Sequence, residues 1–181
     1  MTESSALADT HRWLERAVIG LNLCPFAKAV HLKGQIRWVD SKATDADALL
    51  AELVDEMRRL AAADPGEIDT TLIVHSHALR DFDEHNDFLD LADTALEALG
   101  LVGVLQVASF HPGYCFADSA PDDPANLSNR SPHPTLHLLR EDSVTRAVDA
   151  LPDAADIFER NIETLRRLGH AGWRRLLAVA E

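Results

Sequence analysis

Between residues 35 and 110 the hydrophobic period changes from element to element, and this alternation constrains the fold more than any other feature of the chain. Residues 35–40 read as a short strand. Residues 44–63 then carry Leu49, Leu50, Leu53, Val54, Met57 and Leu60 on one helical stripe, opened by Thr44 and stopped before Pro65 and Gly66. Residues 70–75 form a β-branched run, residues 86–99 a second amphipathic helix ended by Gly100, and residues 102–110 another strand. A leading helix is expected over residues 5–21, where Leu7, Trp13, Leu14, Ala17, Val18 and Leu21 recur at helical spacing before Asn22 and Pro25. Residues 135–140 resume as a strand, and helices follow near 143–151 and 154–168, with Ser143 and Asp153 as caps. The expected architecture is α+β: a four-stranded sheet, β-α-β-α-β-β in chain order, with helices 44–63 and 86–99 on one face. A ferredoxin-like variant fits this order best, and a three-layer α/β sandwich is the alternative.

A chain of 181 residues without a Gly/Ser linker or internal repeat fits one domain, residues 1–181, with one sizeable core. No run of 18 apolar residues and no basic-then-apolar leader is present, so a cytoplasmic protein is expected. The net charge of −13 argues against nucleic acid or anionic membrane as partner, since both are bound through clustered cations. Cys24 and Cys115 form neither a disulfide framework nor a CxxC pair.

Polar groups converge around residues 111–134, which hold five of the eight prolines and no sustained period. Structureless segments of that length inside a compact domain are usually functional, and Tyr114 and Phe116 favour an ordered loop. Splitting the flanking strands by parity places Leu72 with Val74, Leu105 with Val107 and Leu136 with Leu138 under the long helices. The other parity, with Thr71, Ile73, His75, Val104, Gln106, Ala108, Thr135, His137 and Leu139, forms a mixed floor on which His75, Gln106 and His137 would serve a pocket. His111 and Tyr114 leave one strand beside it, and Asn126, Asn129 and Arg130 approach the next. A guanidinium at Arg130 or Arg140 suits a carboxylate or phosphate, although Arg140 also has acidic neighbours in Glu141 and Asp142.

Four stretches, LNLCPFA at 21–27, the FLDLAD helix start, QVASFHPGYCFA at 106–117 and NRSPHPTLHLLRE at 129–141, resemble a bacterial domain family of unknown function, family fourteen-fifteen. The resemblance spans nearly the whole chain and implies no activity, cofactor or substrate.

Cys24 follows a helix whose end is the negative pole, and LNLCPFA offers no cation, so a structural thiol is expected unless His75, His111 or His137 approaches it. The acidic segment 81–87 lacks the glycine and bidentate glutamate of a calcium loop and reads as a capped helix start. The pairs His75 with His77 and His133 with His137 suit a transition metal only if folding brings them together, and neither has the HExxH spacing. No phosphate-binding glycine loop or nucleophile elbow is present. The leading expectation is therefore an enzyme acting on a small anionic metabolite, with His111 or His137 as acid/base, Cys24 as a secondary catalytic candidate, and Arg130 and Asn129 orienting the substrate. A non-catalytic module binding a metabolite or partner protein through the same loop, and a metal protein using His75, His111 or His137, are the alternatives. The cofactor, reaction class and oligomeric state are not readable at this level.

Overall fold

A computed structural model describes residues 4–150 and 156–178. It is an α+β fold built on one open four-stranded sheet: β1 (Ile36–Asp40), β2 (Thr70–Val74), β3 (Leu105–Phe110) and β4 (Thr135–Arg140), in the order β1-β2-β4-β3. β1 and β2 are parallel, and β4 runs antiparallel to both β2 and β3. The strands joined through helices thus share a direction, and β4 alone is reversed. The parallel β1–β2 pair sets the sheet apart from a plain ferredoxin-like arrangement.

Two helices, α3 (Ala46–Ala62) and α4 (Phe82–Leu99), cover one face. Asp45 caps α3 by accepting the Ala48 N–H at 2.9 Å, taking the role expected of Thr44 one residue earlier. Asp81 accepts the Asp83 and Glu84 N–H groups at 3.0 and 3.2 Å, so the capped helix start read over 81–87 is present and α4 begins four residues before position 86. Gly100 closes α4 at φ 67°, a left-handed geometry that favours glycine. Leu49, Leu53, Met57 and Leu60 are fully buried against Ile73, Leu105, Leu136 and Leu138. Each such side chain contributes about 1.5–3 kcal/mol of transfer free energy.

The second face carries a different layer. It comprises α1 (Ser5–Trp13), a segment of wider π-type winding (Leu14–Ile19), α2 (Pro25–Leu32), the 3-10 turn Pro124–Asn129 and α6 (Ile157–Leu177). Trp13, Ala17, Leu165 and Trp173 form its buried centre. Helix α2 was not expected: Pro25 reads as a stop, yet at the first helical position its missing N–H costs nothing and its fixed φ favours initiation. The expected cap at Ser143 is also corrected. α5 (Glu141–Asp149) runs straight out of β4 with Arg140 at its N-cap, and Ser143 donates instead to Asp69 Oδ1 at 2.6 Å. Asp153 and the expected helix start at 154 lie outside the described residues. α6 continues past 168 through a kink at Gly169, whose φ 62° and ψ 174° exclude side-chain-bearing residues.

The face assignment of β2 differs from the parity expectation. Leu136 pairs with Ile73, and Leu138 pairs with both Thr71 and Val107, so Thr71 and Ile73 face α3 and α4. Leu72, paired with His137, faces the other way. Every β2 residue is buried, so this central strand has no polar–apolar alternation from which its phase can be read. Among the described residues, no helix is long and apolar enough to cross a membrane.

Candidate functional site

His137 and Gln106 share the second face with Thr70, Leu72 and Ala108, and there they border a cavity of about 260 Å³ roofed by α1, the π segment, α2 and α5. His75 does not join them; the corrected register of β2 sends it to the opposite face. The cavity lining is overwhelmingly apolar, and its few polar side chains are Thr70, Gln106, His137 and Cys24.

The hydrogen bonds of Thr70 settle the state of His137. The Thr70 hydroxyl has one proton, and it donates that proton to the Leu138 carbonyl at 2.6 Å. Its 2.7 Å contact with His137 Nε2 must then be accepted, so His137 carries its proton on Nε2 and keeps Nδ1 as a lone-pair nitrogen. Burial pushes the imidazolium down to about 4, so the ring is neutral through the physiological range.

Cys24 reaches the same cavity by a route the sequence reading did not foresee. It is the N-cap of α2, and the Phe26 and Ala27 N–H groups at this positive helix end favour its thiolate. Burial acts the other way and dominates, so the thiol lies above its ordinary value. The local context is therefore a helix N-terminus, the reverse of the negative pole expected from an uninterrupted first helix.

A second polar cluster lies on the α3/α4 side, just past the ends of β2 and β3. His75, His85 and His111 are all buried; the His75 and His85 rings stack with centroids 5.3 Å apart, and His85 and His111 are 5.0 Å apart. His75 Nδ1 donates to the Ala78 carbonyl at 3.1 Å, leaving Nε2 as an acceptor. His111 Nδ1 accepts the Gly113 N–H at 3.0 Å, so its proton sits on Nε2. His75 Nε2 and both nitrogens of His85 have no hydrogen-bond partner among the described residues, while the backbone of Leu79 and Arg80 lies beside the His111 ring and favours its protonated form. Desolvation holds all three imidazoles down, His75 to about 4 and His85 to about 3. A three-histidine metal centre needs three free lone pairs, and His111 has committed its own to Gly113. Among the described residues, no group of three or more His, Cys, Asp or Glu side chains is placed to hold a metal ion. His85 was not singled out from sequence, although it leads the α4 stripe continued by Phe88, Ala92 and Leu96, where a buried histidine stands out.

The polar residues of the loop mostly hold the loop. Arg130 donates from Nε to the Tyr114 carbonyl and from Nη2 to the Pro121 carbonyl, both at 2.8 Å. Asn126, fully buried, accepts the Phe116 N–H at 3.0 Å and donates to Ala120 at 2.8 Å. Asn129 accepts from Ser128 Oγ at 3.1 Å, and its side chain also bonds Tyr114. Arg140 lies away from this loop: its Nη2 donates to the carbonyls of Leu60, Ala63 and Ile68 at 2.6, 2.7 and 3.1 Å. Its acidic neighbour is Asp69, at 3.8 Å, rather than Glu141 or Asp142.

A family model described as "Protein of unknown function (DUF1415)" matches residues 5–175. No curated protein and no solved structure matches the chain.

Proposed function

We propose, for a chain that belongs to the DUF1415 family, an enzyme that acts on a small, mainly apolar molecule bound between the sheet and helices α1 and α2, with His137 as proton acceptor. The observation carrying this reading is the tautomer of His137: Thr70 holds Nε2–H and leaves a basic nitrogen on a ring that borders an apolar cavity of about 260 Å³. Gln106 supplies a neutral hydrogen-bonding group beside it, and Cys24 a thiol at a helix N-terminus. Among the described residues no arginine or lysine lines the cavity, and two nitrogens of the Arg130 guanidinium are bonded to loop carbonyls. The expected anionic metabolite therefore gives way to an uncharged one. A cytoplasmic setting belongs to the same proposal, since it would keep both cysteines reduced, and the charge of −13 argues against nucleic-acid and membrane partners.

The test is turnover of a mixture of neutral aliphatic esters, lactones and aldehydes followed by NMR, with His137→Gln as control. Turnover by the native chain that His137→Gln loses, while keeping its thermal shift with the same compounds, supports the reading. Turnover unchanged in His137→Gln overturns it. The low basicity of His137 also favours a second reading, a non-catalytic carrier, for which the same compounds would shift the melting temperature of both proteins without being converted.

A further inference from the structure

The cavity beside His137 has a neighbour. A second cavity, of about 250 Å³, lies against the 3-10 turn and α6, and Val18, Cys24 and Phe110 belong to both linings. These three side chains, each lining both cavities, form the partition between them, and one of the three carries the thiol.

Across that wall the chemistry changes. Beyond it the lining gains Ser128, Asn129 and Asn161, while among the described residues neither cavity is lined by any Asp, Glu, Lys or Arg. Asn161 Nδ2 donates to the Leu23 carbonyl at 2.8 Å; Asn129 Oδ1 shares the Ser128 hydroxyl proton, at 3.1 Å, with the Ala125 carbonyl, at 3.2 Å, and the Asn129 side chain also bonds Tyr114. Each carboxamide is fixed by such bonds while only part of its donor and acceptor capacity is used. One side therefore rewards apolar surface, the other uncharged hydrogen-bonding groups. A charged group in either would be desolvated without a counter-ion.

We propose, building on the function argued above, that the substrate is an uncharged amphiphile spanning both cavities: its hydrocarbon body lies among Ile36, Leu72 and Val144, its polar head, an amide, ester or alcohol, lies against Asn129 and Asn161, and the junction between them passes Phe110, whose ring centroid is 5.9 Å from that of His137. A dry cavity of about 150 Å³ accepts benzene, so the inner space takes a body of roughly ten carbons. Cys24 then stands where body meets head, the position at which a carbonyl group would sit.

Methyl-labelled full-length chain titrated with hexane, hexanamide and hexanoate tests this. Hexane is expected to shift the Leu139 and Val144 methyls of the inner lining alone, and hexanamide to shift these together with Ala125 and Ile162 of the outer lining. Hexanoate should bind at least tenfold more weakly than hexanamide, and Asn129→Ala should weaken hexanamide about tenfold without affecting hexane, equivalent to about 1.4 kcal/mol. If hexanamide shifts the inner methyls only, or hexanoate binds as well as the amide, the amphiphile is overturned while the function proposed above stands. If no probe shifts the inner methyls, both fall.

Discussion

His75, His85 and His137 are neutral in the folded chain at pH values where an unfolded histidine, with its ordinary value of 6.5, already takes up a proton. The folded values are lowered, to about 4, 3 and 4, so their contribution is complete above pH 6.5 and is lost as pH falls toward those values. At pH 5 each histidine withdraws about 2 kcal/mol relative to pH 7. Urea unfolding at the two pH values checks this, and His85→Phe, which sacrifices no hydrogen bond, should shrink the pH difference by about one such share. An undiminished difference would place the acid sensitivity elsewhere. Cys24 gives a second residue-scale expectation: because burial raises its thiol against the pull of the α2 N-terminus, native protein should react slowly with iodoacetamide at pH 7.5 and quickly in urea. Rapid native labelling would mean that the helix end prevails.

At the scale of elements, two arginines tie backbone segments together with different consequences. Arg140 is 8% exposed and joins the end of α3 to the approach of β2 through three carbonyls. An ammonium cannot reproduce that fork, so Arg140→Lys should cost about 2–3 kcal/mol despite the retained charge. Arg130 ties two loop carbonyls that are partly or fully exposed, so Arg130→Ala should cost about 1 kcal/mol and leave the sheet intact. Hydrogen exchange separates the two cases: faster exchange confined to residues 111–130 for Arg130→Ala, and global destabilisation for Arg140→Lys. Equal global effects would make the loop an integral part of the core.

Over the whole molecule, 30 acidic against 17 basic residues leave a self-repelling surface. Arg37 pairs with the buried Glu56 and binds β1 to α3 by bonds of 2.6 and 2.9 Å, whereas pairs such as Arg58–Asp55 are exposed and contribute little. Raising salt from about 10 to about 100 mM shortens the Debye length from about 30 to about 10 Å, so the melting temperature should rise. A fall would show that attractive pairs outweigh the net repulsion.

The α+β class and the order of strands and long helices were legible because amphipathic periodicity is local: the stripe from Leu49 to Leu60 and the close at Gly100 depend only on neighbours in the chain. The cap of α3 was legible to within one residue, Thr44 against Asp45, but Ser143 missed the Arg140 N-cap of α5 by three. The phase of β2 was not, since a strand buried on both faces carries no alternation, and only its pairing with β4 put His75 and His137 on opposite faces. Helix α2 escaped because Pro25 terminates or initiates a helix according to what precedes it. That one ambiguity reversed the electrostatics read for Cys24. His111, Arg130 and Arg140 were each noticed as residues with hydrogen-bonding capacity to spare, but the sequence states capacity and not partners. A local turn committed His111 to Gly113, while tertiary structure committed Arg130 and Arg140 to carbonyls and Thr70 to the one arrangement that leaves His137 Nδ1 free, because those partners lie between 9 and 80 residues away and meet only when the chain folds on itself.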